Sequence, residues 1–271
     1  MHAQQMTVDE RSLGAFPFAA PTADMLMEAV AHAAHGSAQA TGPTPWYIDA
    51  VPDGVAMRMI VRRWTEASSP DAVLARIAAG TALRAARLAV VGFGRRPVTA
   101  HGPEPGVVAV LRAGGRREPC PEETAMLDGQ RRSGVPRRPD PVVPEVGLLP
   151  WLRRAAEREG AWARSTGLMP HVDVGPAWPD GRAVPEHPSG LLLGTDGLAL
   201  HADVRLGQAI EAVRLTAAAL GWWTRIAAAP ADRDRLREAL RGSARAVLGA
   251  HRRGATMAVL QLSPALAFVA A

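Results

Sequence analysis

Gly80-Thr-Ala-Leu-Arg-Ala-Ala-Arg-Leu-Ala-Val-Val-Gly-Phe-Gly94 returns 127 residues later as Gly207-Gln-Ala-Ile-Glu-Ala-Val-Arg-Leu-Thr-Ala-Ala-Ala-Leu-Gly221. Gly80/Gly207, Ala82/Ala209, Ala85/Ala212, Arg87/Arg214, Leu88/Leu215 and Gly94/Gly221 are identical in register, and Leu83/Ile210 is a like-for-like pair. The spacing is far too long for a solenoid repeat, whose period is about 20–50 residues. It suits a duplicated half-domain, in which one chain imitates a two-subunit assembly. In the second copy, Leu206, Ile210, Val213, Ala217 and Leu220 form an apolar stripe at helical spacing. Ala209, Ala212, Thr216 and Ala219 form a second stripe of small residues beside it. A helix built this way is buried on two sides and lets another helix come close, as a central helix at a pseudo-two-fold junction must.

Other elements are placed outward from this pair. Thr22–His35 reads as a helix capped by Thr22, with Asp24 at its positive end, His32 and His35 in its last turn and Gly36 as its stop. Thr41-Gly-Pro-Thr-Pro45 is a loop into Trp46. The turn Pro52-Asp-Gly54 precedes a predicted strand over Val55–Val61, and Ser69-Pro70-Asp71 is a helix start. Val107–Leu111, Gly190–Gly194 and Ala255–Leu262 read as strands. Leu148–Arg164 reads as a helix anchored by Trp151 and Trp162. The expected organisation is an N-terminal arm over residues 1–21, a first half over 22–115, a Pro/Arg-rich junction over 116–146, and a second half over 147–271 with a lid-like loop at 166–189.

At 271 residues and 48% apolar content, the chain can bury a full-sized core. All 31 basic residues are Arg, and there is neither Lys nor Asn, a pattern of GC-rich coding. The net charge is only +5 and Arg is scattered, so nucleic acid is not an expected partner. A single cysteine, Cys120, excludes an internal disulfide, and a reducing cytoplasm is the expected setting. Residues 1–11 lack the apolar core of a signal peptide, and no run of about 18 apolar residues suggests a membrane span.

The sharpest chemical signal is Arg131-Arg132-Ser133, two forked guanidinium groups beside a hydroxyl, a set suited to a phosphate dianion. Val90–Gly94 imitates a dinucleotide loop but lies inside the helical repeat and lacks a third glycine. His171-Val-Asp173 and His201-Ala-Asp203 lack a third ligand, so no metal is expected. Trp222-Trp223 reads as a core anchor after a glycine turn. Cys120 has no His or Lys beside it to activate its thiol.

Arg131-Arg132-Ser133, the Pro45-Trp46 loop after the first helix, and the Gly207–Gly221 helix with its glycine turn together resemble the flavin-dependent nitroreductase superfamily, in its internally duplicated Acg-type branch. The resemblance implies an α+β fold, a mixed or antiparallel sheet packed by helices with an internal pseudo-two-fold. Two halves would enclose FMN, with NADPH or NADH as reductant and a small nitro or quinone-like acceptor. Arg131, Arg132 and Ser133 would hold the FMN phosphate and ribityl chain, and Gly42, Thr44, Pro45 and Trp46 would line the loop that faces the flavin. Gly221 would close the central helix beside it. No protein acid or base is required, because the chemistry belongs to the cofactor. The sequence departs from the pattern where Gly42 and Thr44 replace amide side chains, where no Lys stands near the ring, and where Gln261-Leu-Ser263 ends the last strand. These departures imply an alternative: a catalytically degenerate relative that binds or sequesters flavin or acts as a scaffold. The duplicated chain could close its own pseudo-dimer as a monomer or pair as a homodimer.

Overall fold

The structure is a computed structural model that describes residues 21–38, 44–52, 54–67, 69–101, 104–132, 145–168, 189–195, 199–228 and 256–264. The N-terminal arm, Gly42, Ser133, most of the loop 166–189 and the end of the C-terminal tail lie outside them. The fold is α+β with antiparallel sheets. Helix α1 (Ala23–Ala38) leads into strands β1 (Trp46–Val51) and β2 (Gly54–Met59), a 3-10 turn (Arg62–Thr65), helix α2 (Pro70–Gly92) and strands β3 (Arg95–His101) and β4 (Val107–Arg116). After helix α3 (Pro121–Arg132) come helix α4 (Glu145–Arg158), strands β5 (Trp162–Leu168) and β6 (Ser189–Thr195), helix α5 (Ala199–Ala219) and strands β7 (Trp222–Ala228) and β8 (Thr256–Pro264).

The two four-stranded sheets are ordered β1-β2-β4-β3 and β5-β6-β8-β7, so the same wiring occurs twice. In the first sheet, Trp46, Met57 and Met59 alternate onto the face covered by α1 and α2. In the second, Leu191 and Leu193 pack with Leu206, Ile210 and Val213 of α5 and with Leu148 and Leu152 of α4. Each sheet lies on its own helix pair, and α2 and α5 pack on one another in the middle of the molecule.

Both repeat helices end in one kind of turn. The Gly94 amide donates to Val91 O and the Gly221 amide to Ala218 O, and the amides of Phe93 and Leu220 donate to Val90 O and Ala217 O. Gly94 and Gly221 take φ of +66° and +82°, a region that only glycine enters freely, and each feeds a strand. Ser69 caps α2: its Oγ accepts from the Ala72 amide at 3.3 Å, with Pro70 at the first helical position.

Three local expectations change. α1 runs through Gly36, where a side chain would meet nothing within 4 Å among the described residues. The helix predicted over Leu148–Arg164 ends at Arg158. Gly160 turns left-handed at φ +74°, the Ala161 amide closes back on Ala156 O, and Trp162 begins a strand. The Pro/Arg-rich junction contains α3, for which the start signal was present: Pro121 opens the helix, Glu122 and Glu123 complement its positive end, and Glu123 Oε2 accepts the Cys120 amide at 3.0 Å.

Candidate functional site

The α2–α5 junction holds the densest chemistry in the molecule. Its geometry starts from two glycines that touch. A Cβ on Gly80 would lie 2.2 Å from Val204 O and 3.0 Å from Gly207 Cα, and one on Gly207 would lie 2.0 Å from Ile77 O and 2.9 Å from Gly80 Cα. The contacts are reciprocal and advance in the same direction along both helices, so α2 and α5 run side by side in the same sense. Ile77 reaches into the core of the second half, among Leu148, Leu206 and Ile210. Val204 reaches into that of the first, among Ala75, Ala79 and Leu83.

One turn before the glycines, Arg76 and Asp203 form a buried pair, each 2% exposed. Arg76 Nε and Nη2 donate to Asp203 Oδ2 at 2.8 and 2.6 Å. Arg76 Nη1 donates to the main-chain oxygens of Trp64, at 2.7 Å, and of Ala67. The guanidinium fork thus ties α5 to the turn that precedes α2, and its donors are used in place.

One turn beyond the glycines, Glu159 receives Arg84 at 2.8 Å and Arg87 at 2.7 Å, while Glu211 holds Arg214 through two bonds of 2.8 and 2.6 Å. Burial pushes Arg84 below the ordinary guanidinium range, against the pull of Glu159. Burial also acts on Arg214, but the Glu211 carboxylate more than offsets it and leaves that group raised. Arg84 Nη2 lies 3.2 Å from Met126 Sδ of α3. Met126 packs with Leu88 and Leu215, the identical leucines of the repeat. At Gly129 the helix α3 comes close to Leu215 O, 3.2 Å from a built Cβ, and to Ala219.

The residues singled out from sequence distribute around this junction. Trp46 is 2% exposed and lies in the first core against Met57, Met59 and the edge of His35, its ring centroid 5.2 Å from that imidazole. Its Nε1 has no hydrogen-bond partner among the described residues. Thr44 and Pro45 are half-buried, and Pro45 O accepts the Ile60 amide at 2.9 Å. Arg131 and Arg132 are the last two residues of α3, and their side chains lie outside the described residues. Through Gly129 and Ala219, α3 and the Gly221 turn come to the same end of the junction, whereas Trp46 packs on the opposite half of α2. Gly42 and Ser133 lie outside the described residues.

Trp222 opens β7 as a core anchor, 6% exposed. His201 meets His101 edge-on with ring centroids 4.8 Å apart, and Asp203 belongs to the Arg76 pair, so the two residues of that motif serve different contacts. His101 is pushed below the ordinary imidazole range by burial, with His201 and Arg205 adding repulsion. Among the described residues, no three His, Cys, Asp or Glu side chains group as a metal site would require. No described helix is long and apolar enough to cross a membrane.

Reading the repeat for identities found the glycines and leucines but missed the charged pairs. Arg76/Asp203 and Arg84/Glu211 are mismatches at the repeat's own spacing, and the opposite signs were the signal. No protein-family model matches the chain, and no curated protein matches it in sequence.

Proposed function

We propose that this chain is an internally duplicated pseudo-dimer that acts by binding, a catalytically degenerate scaffold of the class its sequence resembles. The observation that carries this reading is the use made of the buried charges. Asp203 is engaged by Arg76 across the α2–α5 junction, Glu159 by Arg84 and Arg87 of α2 from the turn after α4, and Glu211 by Arg214 along α5 itself. Carboxylates paired in this way fix the packing of the core, which is the work of a scaffold. The burial of Trp46 supports the same reading, since an indole inside the core offers a planar ligand no face to stack on. The test is an assay of the purified chain with FMN, NADPH and a quinone or nitroaromatic acceptor. The scaffold reading expects no NADPH consumption above the protein-free rate. Protein that turns over NADPH with either acceptor overturns it.

A second reading keeps the oxidoreductase of nitroreductase type. It is favoured by the unpartnered Nε1 of Trp46, a buried donor beside the loop that the resemblance assigns to the flavin. Arg131 and Arg132, on the helix packed against the end of α5, would then take the phosphate end. FMN would supply the hydride chemistry, and the chain's residues would hold and orient it. The absorbance spectrum of the protein as purified separates the two readings: visible flavin bands with turnover belong to this one, and a colourless protein that stays colourless after incubation with FMN excludes it.

A further inference from the structure

We infer that the α2–α5 junction is a charge-addressed interface, in which the first half of the chain accepts only a second half as its partner. The inference rests on the pseudo-dimer reading of the chain. In a true two-fold assembly, a residue near the axis meets its own copy. Gly80 and Gly207 do so, and Ile77 and Val204, also 127 residues apart, make the reciprocal approaches: Ile77 O to Gly207 and Val204 O to Gly80. At the same spacing of 127 residues, Arg76 meets Asp203.

A junction of two first halves would bring Arg76 against another Arg76, and one of two second halves would bring Asp203 against Asp203. Either places like charges in a site that is 2% exposed, without the partner that makes burial tolerable. Arg84 and Glu211, about two turns on and also 127 residues apart, differ in sign as well, though each is held by another partner, Arg84 by Glu159 and Glu211 by Arg214. The position at which the two helices meet charge to charge, which would have to be self-complementary in a symmetric dimer, therefore carries opposite signs. Arg87 and Arg214 keep the same residue, and each has its own carboxylate, Glu159 and Glu211. Repulsion in the wrong pairing, as well as attraction in the right one, sets the choice of partner.

The test uses full-length chains. Arg76→Asp places two acids at the contact, and Asp203→Arg places two arginines there. Each variant alone is expected to melt about 10 °C below the parent. Refolded together, each chain can complement the other, because the acid of one faces the arginine of its neighbour at both junctions. The expected product is a one-to-one heterodimer of about twice the 28.6 kDa chain mass, absent when either variant is refolded alone. A mixture that yields only the species seen with the separate variants overturns the inference.

Should neither single variant fold, the double variant Arg76→Asp/Asp203→Arg decides. It must fold and melt cooperatively, and a double variant that fails to fold, as the singles do, overturns the proposal. Failure here leaves the binding reading intact, and NADPH turnover would remove the binding reading while leaving this one.

Discussion

Replacing Gly80 by Ala tests the packing of the central helices most sharply. In an unconstrained helix the change stabilises by roughly 1 kcal/mol, since Gly is the poorer helix former. At Gly80 the new methyl would sit 2.2 Å from Val204 O, which is backbone and cannot rotate aside. Ordinary van der Waals separation would demand a local parting of the helices by roughly 1 Å, and a gap of that size forfeits a quarter to a half of the dispersion energy of the atoms lining it. Overpacking of this kind costs about 1–3 kcal/mol, more where the obstacle is rigid. The net expectation is a loss of about 2 kcal/mol, or a melting temperature lower by about 4–8 °C, followed by circular dichroism with urea midpoints as a second measure. Gly36→Ala is the control: none of the described residues lies within 4 Å of a Cβ there, so it should raise stability by about 0.5–1 kcal/mol. A Gly80→Ala protein as stable as its parent, beside a stabilised Gly36→Ala, would refute the close approach of α2 and α5.

Arg76→Ala should cost about 3–5 kcal/mol, because it strands the Asp203 carboxylate in a buried site, and urea unfolding measures it. Gly194→Ala should cost about 1–3 kcal/mol, since its methyl would fall 2.1 Å from the Trp162 ring across the β5–β6 ladder; a thermal melt with no change would contradict that register. His101, held below its ordinary 6.5 by burial, binds its proton more readily in the unfolded chain. Its contribution to stability is therefore fully present above about pH 6.5 and is lost as pH falls toward the lowered folded value. Urea midpoints should fall between about pH 7 and pH 5, and His101→Leu should flatten part of that slope; an unchanged slope would assign the dependence elsewhere.

Much of the architecture was legible because its causes are local. The repeat gave the two central helices, and the identical residues have physical reasons to be identical. Gly80 and Gly207 touch, Gly94 and Gly221 need positive φ, and Leu88 and Leu215 pack on the same methionine. Ser69-Pro70 marked the start of α2 for the same kind of reason, a cap followed by a residue preset for the first helical turn. The strand at Trp162 was missed because Trp suits either element, and the left-handed turn at Gly160 decided between them. α3 was hidden by composition, since a segment rich in Pro, Arg and acids resembles a linker until Met126 and Gly129 find the helices they pack on. The candidate site was less legible. An ion pair such as Arg76–Asp203 depends on which helices cross, and neither residue's neighbours in the chain announce the other. Trp46 showed its type in the sequence, but only the sheet's register placed it facing the helices.

The central helix contact is measured most directly by the nuclear Overhauser effect between the Hα protons of Gly80 and Gly207, in a sample mixing labelled and unlabelled chains so that contacts within a chain are told from those between chains. With a built Cβ on Gly80 only 3.0 Å from Gly207 Cα, a strong intrachain cross-peak is expected. Its absence, with both glycine resonances assigned, would contradict the side-by-side pairing of the two halves on which the account stands.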